Sequence, residues 1–294
     1  MKKGNKVSPD LKSDYEKFMS LYPDSAYISK VVFVEGSKYS AKRPELDLGF
    51  DQIYVTQHQF AMRWLTQIIA QNPGSFASRD TPEMFHAIDI GSQFDFVLTM
   101  SAFINFIIVD PSLDLGKNDI VTAYDIGALF TSQEGQNLSL INDEDVNLLT
   151  SLHAIEHFGL GRYGDTLDPE GDVKALKEFN RVLSTGGYFI GSVPIEQVGR
   201  ERVDFNKNRI YSIPLIQRML FESGFAIDEH VCAVSVDAIK KGLPSNPEHQ
   251  YPAAHMNPTE FPHAMSEIVL ESHGDLNNQP NAAYVWLARK TRKV

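Results

Sequence analysis

Short apolar runs alternate with helical or turn segments from Phe85 to Val193, and this alternation constrains the fold more than any other feature of the chain. The runs are FHAIDI (85–90), FINFIIV (103–109), DIVTAYD (119–125), VNLLTSL (146–152) and GYFIGSV (187–193). Runs of this length separated by helices are typical of a parallel sheet that is covered on both faces. The sequence therefore predicts an α/β fold built on a doubly wound, mostly parallel sheet.

Helix-capping and helix-breaking residues predict the elements that complete the sheet. Between the last two runs, Asp168 is placed as an N-cap, Pro169 suits the first turn and Gly186-Gly187 ends the helix. A second helix is predicted from Ile213 to Phe221. Two further strands are predicted, from Phe225 to Val236 and over AAYVWLA (282–288).

The hydrophobic pattern divides the chain into an extension and a core domain. Residues 1–80 are predicted to form an N-terminal helical extension, with one long amphipathic helix from about Asp51 to Gln71. Residues 81–294 are predicted to form a Rossmann-like domain. Residues 240–280 are rich in histidine and proline without a clear period, and we expect them to form an insertion or lid before the last strand.

Composition and charge exclude several classes of partner. The 294 residues carry a formal net charge of −11, and an acidic surface repels phosphate backbones, so we expect no nucleic-acid partner. No apolar stretch is long enough to span a bilayer and the N-terminus has no apolar signal core, which predicts a cytoplasmic protein without a membrane partner. The single cysteine, Cys232, lies in an apolar run and is expected to be buried and inert.

The residues that follow the apolar runs are small and acidic, and ligands of open α/β sheets bind at the carboxyl ends of the strands. The first run ends Asp89-Ile90-Gly91-Ser92, where Gly91 permits a tight turn close to a ligand. The later glycines of a dinucleotide-binding loop are missing, which disfavours a dinucleotide. Asp110 ends the second run, nineteen residues beyond Gly91, where a carboxylate could accept hydrogen bonds from the hydroxyls of a ribose.

Together these residues resemble the class I S-adenosylmethionine-dependent methyltransferase fold. The resemblance rests on Asp89-Ile-Gly91, Asp110, Asp125, SLHAIEH and EFNRVLSTGGYFIGSVP. More narrowly, HAIEHFGLGRYGDTLDPEGDVKALKEFNRVL and VDFNKNRIYS resemble an uncharacterised methyltransferase-like family with nematode and bacterial members. The resemblance implies a seven-stranded sheet and S-adenosylmethionine (SAM) as cofactor. It also implies the cofactor contacts, which are Asp89, Gly91 and Ser92 at the methionine end, Asp110 at the ribose, and Asp125 and Ile126 at the adenine.

The segment HAIEH (153–157) has three interpretations. As H-x-x-E-H it matches an inverted zinc-peptidase motif, with His153 and His157 as ligands and Glu156 as general base. By the resemblance, the same three residues are catalytic, and His153 takes a proton from an acceptor hydroxyl because histidine titrates near neutral pH. A divalent metal that orients the acceptor stays open there. The third interpretation is structural, with Glu156 and His157 capping the glycine-rich loop that follows.

Six more residues are candidates for substrate binding, namely Arg162, Tyr163, Asp165, Asn206, Arg209 and Tyr211. The glycines of residues 158–172 could let the backbone wrap a ligand, and Arg162 could pair with a carboxylate or phosphate. The alternative is a surface Ω-loop with Asp168 as a helix cap. Arg209 could equally be a surface ion-pair residue.

The sequence favours a methyltransferase that acts on an oxygen or nitrogen of a small acceptor, and analogy suggests a sugar or another glycan precursor. Two alternatives stay open. The missing glycines would suit a non-catalytic methyltransferase-like binding or scaffold protein, and HAIEH would suit a metal-dependent hydrolase. A homo-oligomer is also left open.

Overall fold

The computed structural model describes residues 11–33, 52–72, 87–101, 103–104, 106–110, 120–123, 128–131, 138–163, 165–196, 198–205, 207–234 and 282–294. The helices are α1 (Leu11–Leu21), α2 (Gln52–Gln71), α3 (Phe94–Ser101), α4 (Gly171–Val182) and α5 (Ile213–Glu222), with a 3₁₀ helix at Ile155–His157. The strands are β1 (Val31–Phe33), β2 (Ala87–Ile90), β3 (Phe106–Val109), β4 (Ile120–Ala123), β5 (Ala128–Thr131), β6 (Val146–Leu152), β7 (Leu183–Pro194), β8 (Arg202–Phe205), β9 (Asn208–Ile210), β10 (Phe225–Val234) and β11 (Ala282–Lys290).

Eight of the described strands form the main sheet, in the order β10-β11-β7-β6-β2-β3-β5-β4. The pairs from β7 through β6, β2 and β3 to β5 are all parallel, while β11 is antiparallel to both of its neighbours. The parallel strands therefore follow the doubly wound Rossmann order, with the last strand of the chain inserted before the edge strand β10. The predicted Rossmann-like, mostly parallel sheet is confirmed.

The edge formed by β4 and β5 differs from the prediction. The run at 119–125 was expected to be the third parallel strand, but β4 pairs antiparallel with β5, and Ala123 at its end faces Ala128 at the start of β5. The third parallel strand is β5, so the described sheet has one strand more than the seven predicted. The carboxyl end of β4 thus points to the edge opposite the carboxyl ends of β2 and β3. Asp125 and Ile126 lie outside the described residues.

Helices cover both faces of the main sheet. Helix α2 buries Ala61, Trp64, Leu65 and Ile68 against one face, where residues of α3 join them. Helices α4 and α5 bury their apolar stripes on the opposite face. Each large apolar side chain buried in this way contributes about 1.5–3 kcal/mol. The long helix predicted from the N-terminal periodicity is therefore part of the core.

The N-terminal region also contributes a strand. β1 pairs parallel with β8, and β8 pairs antiparallel with β9, in a separate three-stranded sheet. The ring of Phe18 in α1 lies 5.0 Å from that of Phe205 in β8. The predicted helical extension is thus only partly helical and packs into the core. Its division from the rest of the chain at residue 80 stays a prediction, and residues 240–280 lie outside the described residues.

Helix α4 begins later than predicted. Its N-cap is Glu170, without a side-chain cap bond, while the Oδ1 of Asp168 accepts a hydrogen bond from the Glu170 N–H at 3.0 Å. The turn organised by Asp168 therefore precedes the helix. The helix also ends at Val182, and Gly186-Gly187 belongs to β7.

Two smaller expectations can be compared with the structure. Cys232 is buried as predicted, and burial raises the pKa of its thiol far above the ordinary value. In the part of the chain described, none of the helices has the length and apolar character to cross a bilayer.

Candidate active site

The turn after β2 is held by side chains that join β2 to β6. The carboxylate of Asp89 accepts hydrogen bonds from the Ser92 N–H at 3.1 Å and from the Thr150 hydroxyl at 2.5 Å. The Ser92 hydroxyl accepts one from the Leu152 N–H at 2.9 Å. Gly91 has a φ of +72°, and a Cβ there would lie 2.9 Å from the Cβ of Ala154. Asp89, Gly91 and Ser92 therefore shape this turn, and only glycine fits at its centre.

Two acidic residues lie together at this carboxyl edge. Burial raises the pKa of Asp89 to about 6, since its hydrogen bonds from Ser92 and Thr150 only partly offset the loss of water, and the charge of Asp110 adds to the rise. Asp110 follows β3. The Gly91 N–H donates a hydrogen bond at 3.0 Å to the carbonyl of Val109, the residue before Asp110. The predicted neighbourhood of the Gly91 turn and Asp110 is therefore present in the fold.

His153 follows β6 and has a backbone conformation that residues other than glycine seldom adopt. Its φ is +53°, and its N–H donates to the carbonyl and to the hydroxyl oxygen of Ser192, both at 3.1 Å. The ring Nδ1 lies 3.0 Å from Oε1 of Glu156. An Nδ1–H that donates to this carboxylate leaves Nε2 as the basic nitrogen. Within the described residues, His153 Nε2 is buried and has no hydrogen-bond partner.

Glu156 is held between two histidines. Burial would raise its pKa, but the rings of His157 and His153 and the hydrogen bond from His153 together hold the pKa below its ordinary value. The Nε2 of His157 lies 3.7 Å from Glu156 Oε1, and its Nδ1 lies 2.6 Å from the carbonyl of Lys207. Burial lowers the pKa of His157. Glu156 is thus enclosed by two imidazole rings, and its hydrogen bond with Nδ1 orients the ring of His153.

Helix α2 supplies site residues that the sequence analysis missed. The hydroxyl of Ser192 donates to Oε1 of Gln57 at 2.8 Å, so Gln57 is linked through Ser192 to the backbone of His153. The ring of Tyr54 lies 5.2 Å from that of His153. His58 packs on Phe96 at 5.1 Å, and burial lowers its pKa. A signal existed, because Gln57 falls in register with the apolar stripe of α2, where a polar residue is unusual.

We call Gln57, His58, His153 and Glu156 the edge cluster. Each has one buried polar atom without a hydrogen-bond partner among the described residues, namely Gln57 Nε2, His58 Nε2, His153 Nε2 and Glu156 Oε2. Buried polar atoms normally find partners, because leaving one unsatisfied costs about 1–3 kcal/mol. A concentration of such atoms at the carboxyl edge of the sheet is what a ligand site requires.

Arg209 and Tyr211, two of the predicted substrate-binding residues, are buried and bonded within the protein. Arg209 is 1% exposed and donates to the carbonyls of Phe158, Asp168 and Pro169 at 2.6, 3.4 and 3.0 Å. Its Nε lies 3.5 Å from the carboxylate of Asp172, which also accepts the Tyr211 hydroxyl at 2.9 Å. We call Asp172, Arg209 and Tyr211 the loop cluster. It ties β9 and the segment after it to α4 and to the loop before this helix.

The other loop candidates are likewise engaged by the protein. Asp165 accepts hydrogen bonds from the backbone N–H groups of Gly159, Gly161 and Tyr163. Arg162 donates to the carbonyl of Lys207 at 2.5 Å and lies over the ring of Tyr163. These contacts favour the interpretation of this stretch as an Ω-loop. Asn206 lies outside the described residues.

The zinc-peptidase interpretation of HAIEH lacks the helix that it requires. Two ligands four residues apart must share one face of an α-helix, but only Ile155–His157 is helical, as one 3₁₀ turn, and His153 precedes it with a positive φ. In the described part of the chain, no group of three or more His, Cys, Asp or Glu side chains is arranged to hold a metal ion.

Residues 134–243 match the model of a family described as "Caenorhabditis protein of unknown function, DUF268". This match covers less than half of the chain but includes HAIEH, the glycine-rich loop and the segment VDFNKNRIYS, which carried the narrower resemblance. A search of the curated proteins found no match.

Several solved structures are similar to this chain at low identity. The YcgJ protein from Bacillus subtilis is 16% identical, with 79% of this chain and 99% of that chain covered and a TM-score of 0.45. The [4+2]-cyclase SpnF is 15% identical, with coverages of 79% and 82% and a TM-score of 0.44. An SAM-dependent methyltransferase from Thermotoga maritima, described as a possible histamine N-methyltransferase, is 18% identical, with coverages of 81% and 92% and a TM-score of 0.40. These likenesses carry no argument about activity.

Proposed function

We propose that this protein is an SAM-dependent methyltransferase that transfers a methyl group to an oxygen or nitrogen of a small acceptor. One observation carries the proposal. The His153–Glu156 pair, with its unpartnered Nε2, lies at the same carboxyl edge as the Gly91 turn and Asp110. A base and a ribose-binding carboxylate thus flank the place where an open α/β sheet binds its ligand.

The charges of this edge fit the cofactor. SAM, when bound, supplies a methyl group on a positively charged sulfur. The carboxyl groups of Asp89, Asp110 and Glu156 give this edge its negative sign, since they lie in or shortly after β2, β3 and β6. An edge of this sign favours a cationic group and disfavours a phosphate. Asp110 would accept hydrogen bonds from the ribose hydroxyls.

The catalytic contribution of the chain comes from His153. Its Nε2 accepts the proton of the acceptor group, while Glu156 holds Nδ1–H and stabilises the positive charge that develops on the ring. General-base help of this kind contributes about 10²–10⁴-fold in rate. Holding the two reactants in line at close distance contributes the larger share.

Calorimetric titration with SAM and S-adenosylhomocysteine tests the proposal. We expect a dissociation constant near micromolar, which corresponds to a binding free energy of about −8 kcal/mol. Asp110→Ala should abolish this binding. Asp228→Ala is the matched control, because Asp228 pairs with Arg289 in another part of the sheet. An unchanged affinity in Asp110→Ala, or no binding to the unaltered protein, would contradict the cofactor site. Binding without methyl transfer to any acceptor would favour the non-catalytic alternative.

A further inference from the structure

The edge cluster holds half of the unsatisfied buried polar side-chain atoms in the described part of the chain. Eight such atoms occur there, and four belong to Gln57, His58, His153 and Glu156. Gln57 is fully buried and Glu156 is 1% exposed. Bulk water is therefore a poor partner for them, and a ligand that enters beneath α2 would satisfy them.

Contacts between α2 and the ends of β6 and β7 bring these atoms together. Gln57 is joined to His153 through the Ser192 hydroxyl, and Tyr54, one turn before His58, lies against the ring of His153. His58 is near enough to His153 for the two rings to influence each other electrostatically. The cluster is thus one site made from a helix and two strand ends.

The hydrogen-bonding capacity of the cluster points to a hydroxyl group. The amide Nε2 of Gln57 donates and the carboxylate Oε2 of Glu156 accepts, while each histidine Nε2 does either according to its tautomer. A hydroxyl both donates and accepts, so several hydroxyls on one molecule complement this mixture.

The charge of the cluster excludes an anionic group. Glu156 is ionised, since its pKa is held below the ordinary value. Of the arginines that follow it in the chain, Arg209 donates to three buried carbonyls. Arg162 donates to the Lys207 carbonyl, and its Nη1 lies 3.2 Å from Nδ1 of His157, so it contacts that histidine and not Glu156. A phosphate or carboxylate at this place would meet the carboxylate of Glu156, whose ion-pair partners in the described part of the chain are two histidines and no lysine or arginine.

We propose that Gln57, His58, His153 and Glu156 form the acceptor site, and that the part of the acceptor that enters it is an uncharged, hydroxyl-bearing group. The identity of this molecule as a methyl acceptor rests on the proposed function, but its binding does not. In this proposal the residues of α2 and Glu156 determine which acceptor binds, and the loop of residues 158–172 stabilises the fold.

NMR of the full chain with isotopically labelled histidines tests the proposal without any cofactor. Methyl glucoside and methyl glucuronide are suitable probes, because they differ only at C6, which carries an uncharged hydroxymethyl group in the first and a carboxylate in the second. We expect the glucoside to shift the ring signals of His58 and His153. His230 of β10, whose ring lies 5.5 Å from that of Tyr284 in β11, is the internal control and should not respond. The glucuronide should bind at least about tenfold more weakly, as one buried like charge requires.

Glu156→Gln separates charge from shape, because it keeps the side-chain size and removes the negative charge. In this variant the preference for the glucoside should fall to within about threefold. Equal binding of both probes to the unaltered protein would overturn the proposal, as would a lack of response of both rings to either probe. If the rings respond but SAM does not bind, the cluster is still a binding site for a hydroxyl-bearing group, and the methyltransferase proposal fails.

Discussion

Two buried polar clusters include residues from the two ends of the segment from His153 to Asp172. They differ in whether their buried polar atoms have hydrogen-bond partners. In the loop cluster, the guanidinium of Arg209 meets three carbonyls and one carboxylate, and that carboxylate also holds Tyr211. In the edge cluster, every member keeps one buried atom without a partner among the described residues. A satisfied network stabilises a fold, whereas an unsatisfied one at a strand edge is prepared for a ligand. We therefore expect the edge cluster to bind a ligand and the loop cluster to stabilise the fold.

Substitution in the edge cluster should affect catalysis most. His153→Asn should lower kcat by about 10²–10⁴-fold and leave the SAM dissociation constant within about twofold. Asparagine tolerates the positive φ of this position, so the backbone should be retained. The rates would be measured with an acceptor found by a radiolabelled methyl-transfer screen. His230→Asn is the control, and a parallel loss of cofactor affinity in His153→Asn would count against the role of His153 as base.

Substitution in the loop cluster should affect stability instead. Arg209→Met leaves the buried carboxylate of Asp172 without its cation, which typically costs about 3–5 kcal/mol. Denaturant unfolding measures this loss. The matched change Arg218→Met removes an exposed arginine that pairs with Glu222, and it should cost less than about 1 kcal/mol. Similar losses for both variants would mean that the loop cluster does not stabilise the fold.

The pH dependence of stability should identify Asp89 as the buried acid at the edge. Its folded-state pKa of about 6 lies above the ordinary value of 3.8. The protonated Asp89 therefore contributes to the free energy of unfolding fully below pH 3.8, and this contribution is lost as the pH rises through 6. Asp89→Asn should therefore gain stability relative to the unaltered protein between pH 4 and 7, by up to about 3 kcal/mol. Asp95→Asn, at an exposed position of α3, should show no such gain. A constant difference between Asp89→Asn and the unaltered protein across this range would refute the raised pKa.

Removing one hydroxyl from the loop cluster should have the smallest effect. Tyr211→Phe deletes the hydrogen bond to Asp172, and the loss should be about 1.5–3 kcal/mol, because the acceptor is charged. Methyl transfer and SAM affinity at a temperature well below unfolding should not change. A selective loss of activity with full stability would restore Tyr211 as a substrate-binding residue.

The fold was predictable where a strand coincides with a continuous apolar run that polar residues bound. The run VNLLTSL coincides with β6, because a strand buried on both faces is apolar throughout and polar residues bound it. β5 was missed because ALFT is only four residues long and only four residues separate it from β4. The antiparallel orientation of β4 relative to β5 is a matter of tertiary pairing, which the apolar pattern does not specify.

The site was predictable only along the strand ends. His153, Glu156 and Asp110 follow apolar runs and Asp89 lies near the end of one, and the topology brings these strand ends to one edge as expected. The contribution of α2 depends on how the helix packs, so Gln57 and His58 could not be assigned from periodicity alone. Conversely, Arg209 resembled a surface ligand-binding residue because the β8–β9 hairpin that buries it was not predicted.

The most direct test of the account measures how SAM shifts the unfolding of three proteins side by side. A ligand at 100 times its dissociation constant stabilises the folded state by about 2.7 kcal/mol. We predict this stabilisation for the unaltered protein and for Tyr211→Phe, which should start from a lower unfolding temperature, and none for Asp110→Ala. Stabilisation retained in Asp110→Ala, or lost in Tyr211→Phe, would contradict the assignment of ligand binding to the strand edge and of structure to the loop cluster.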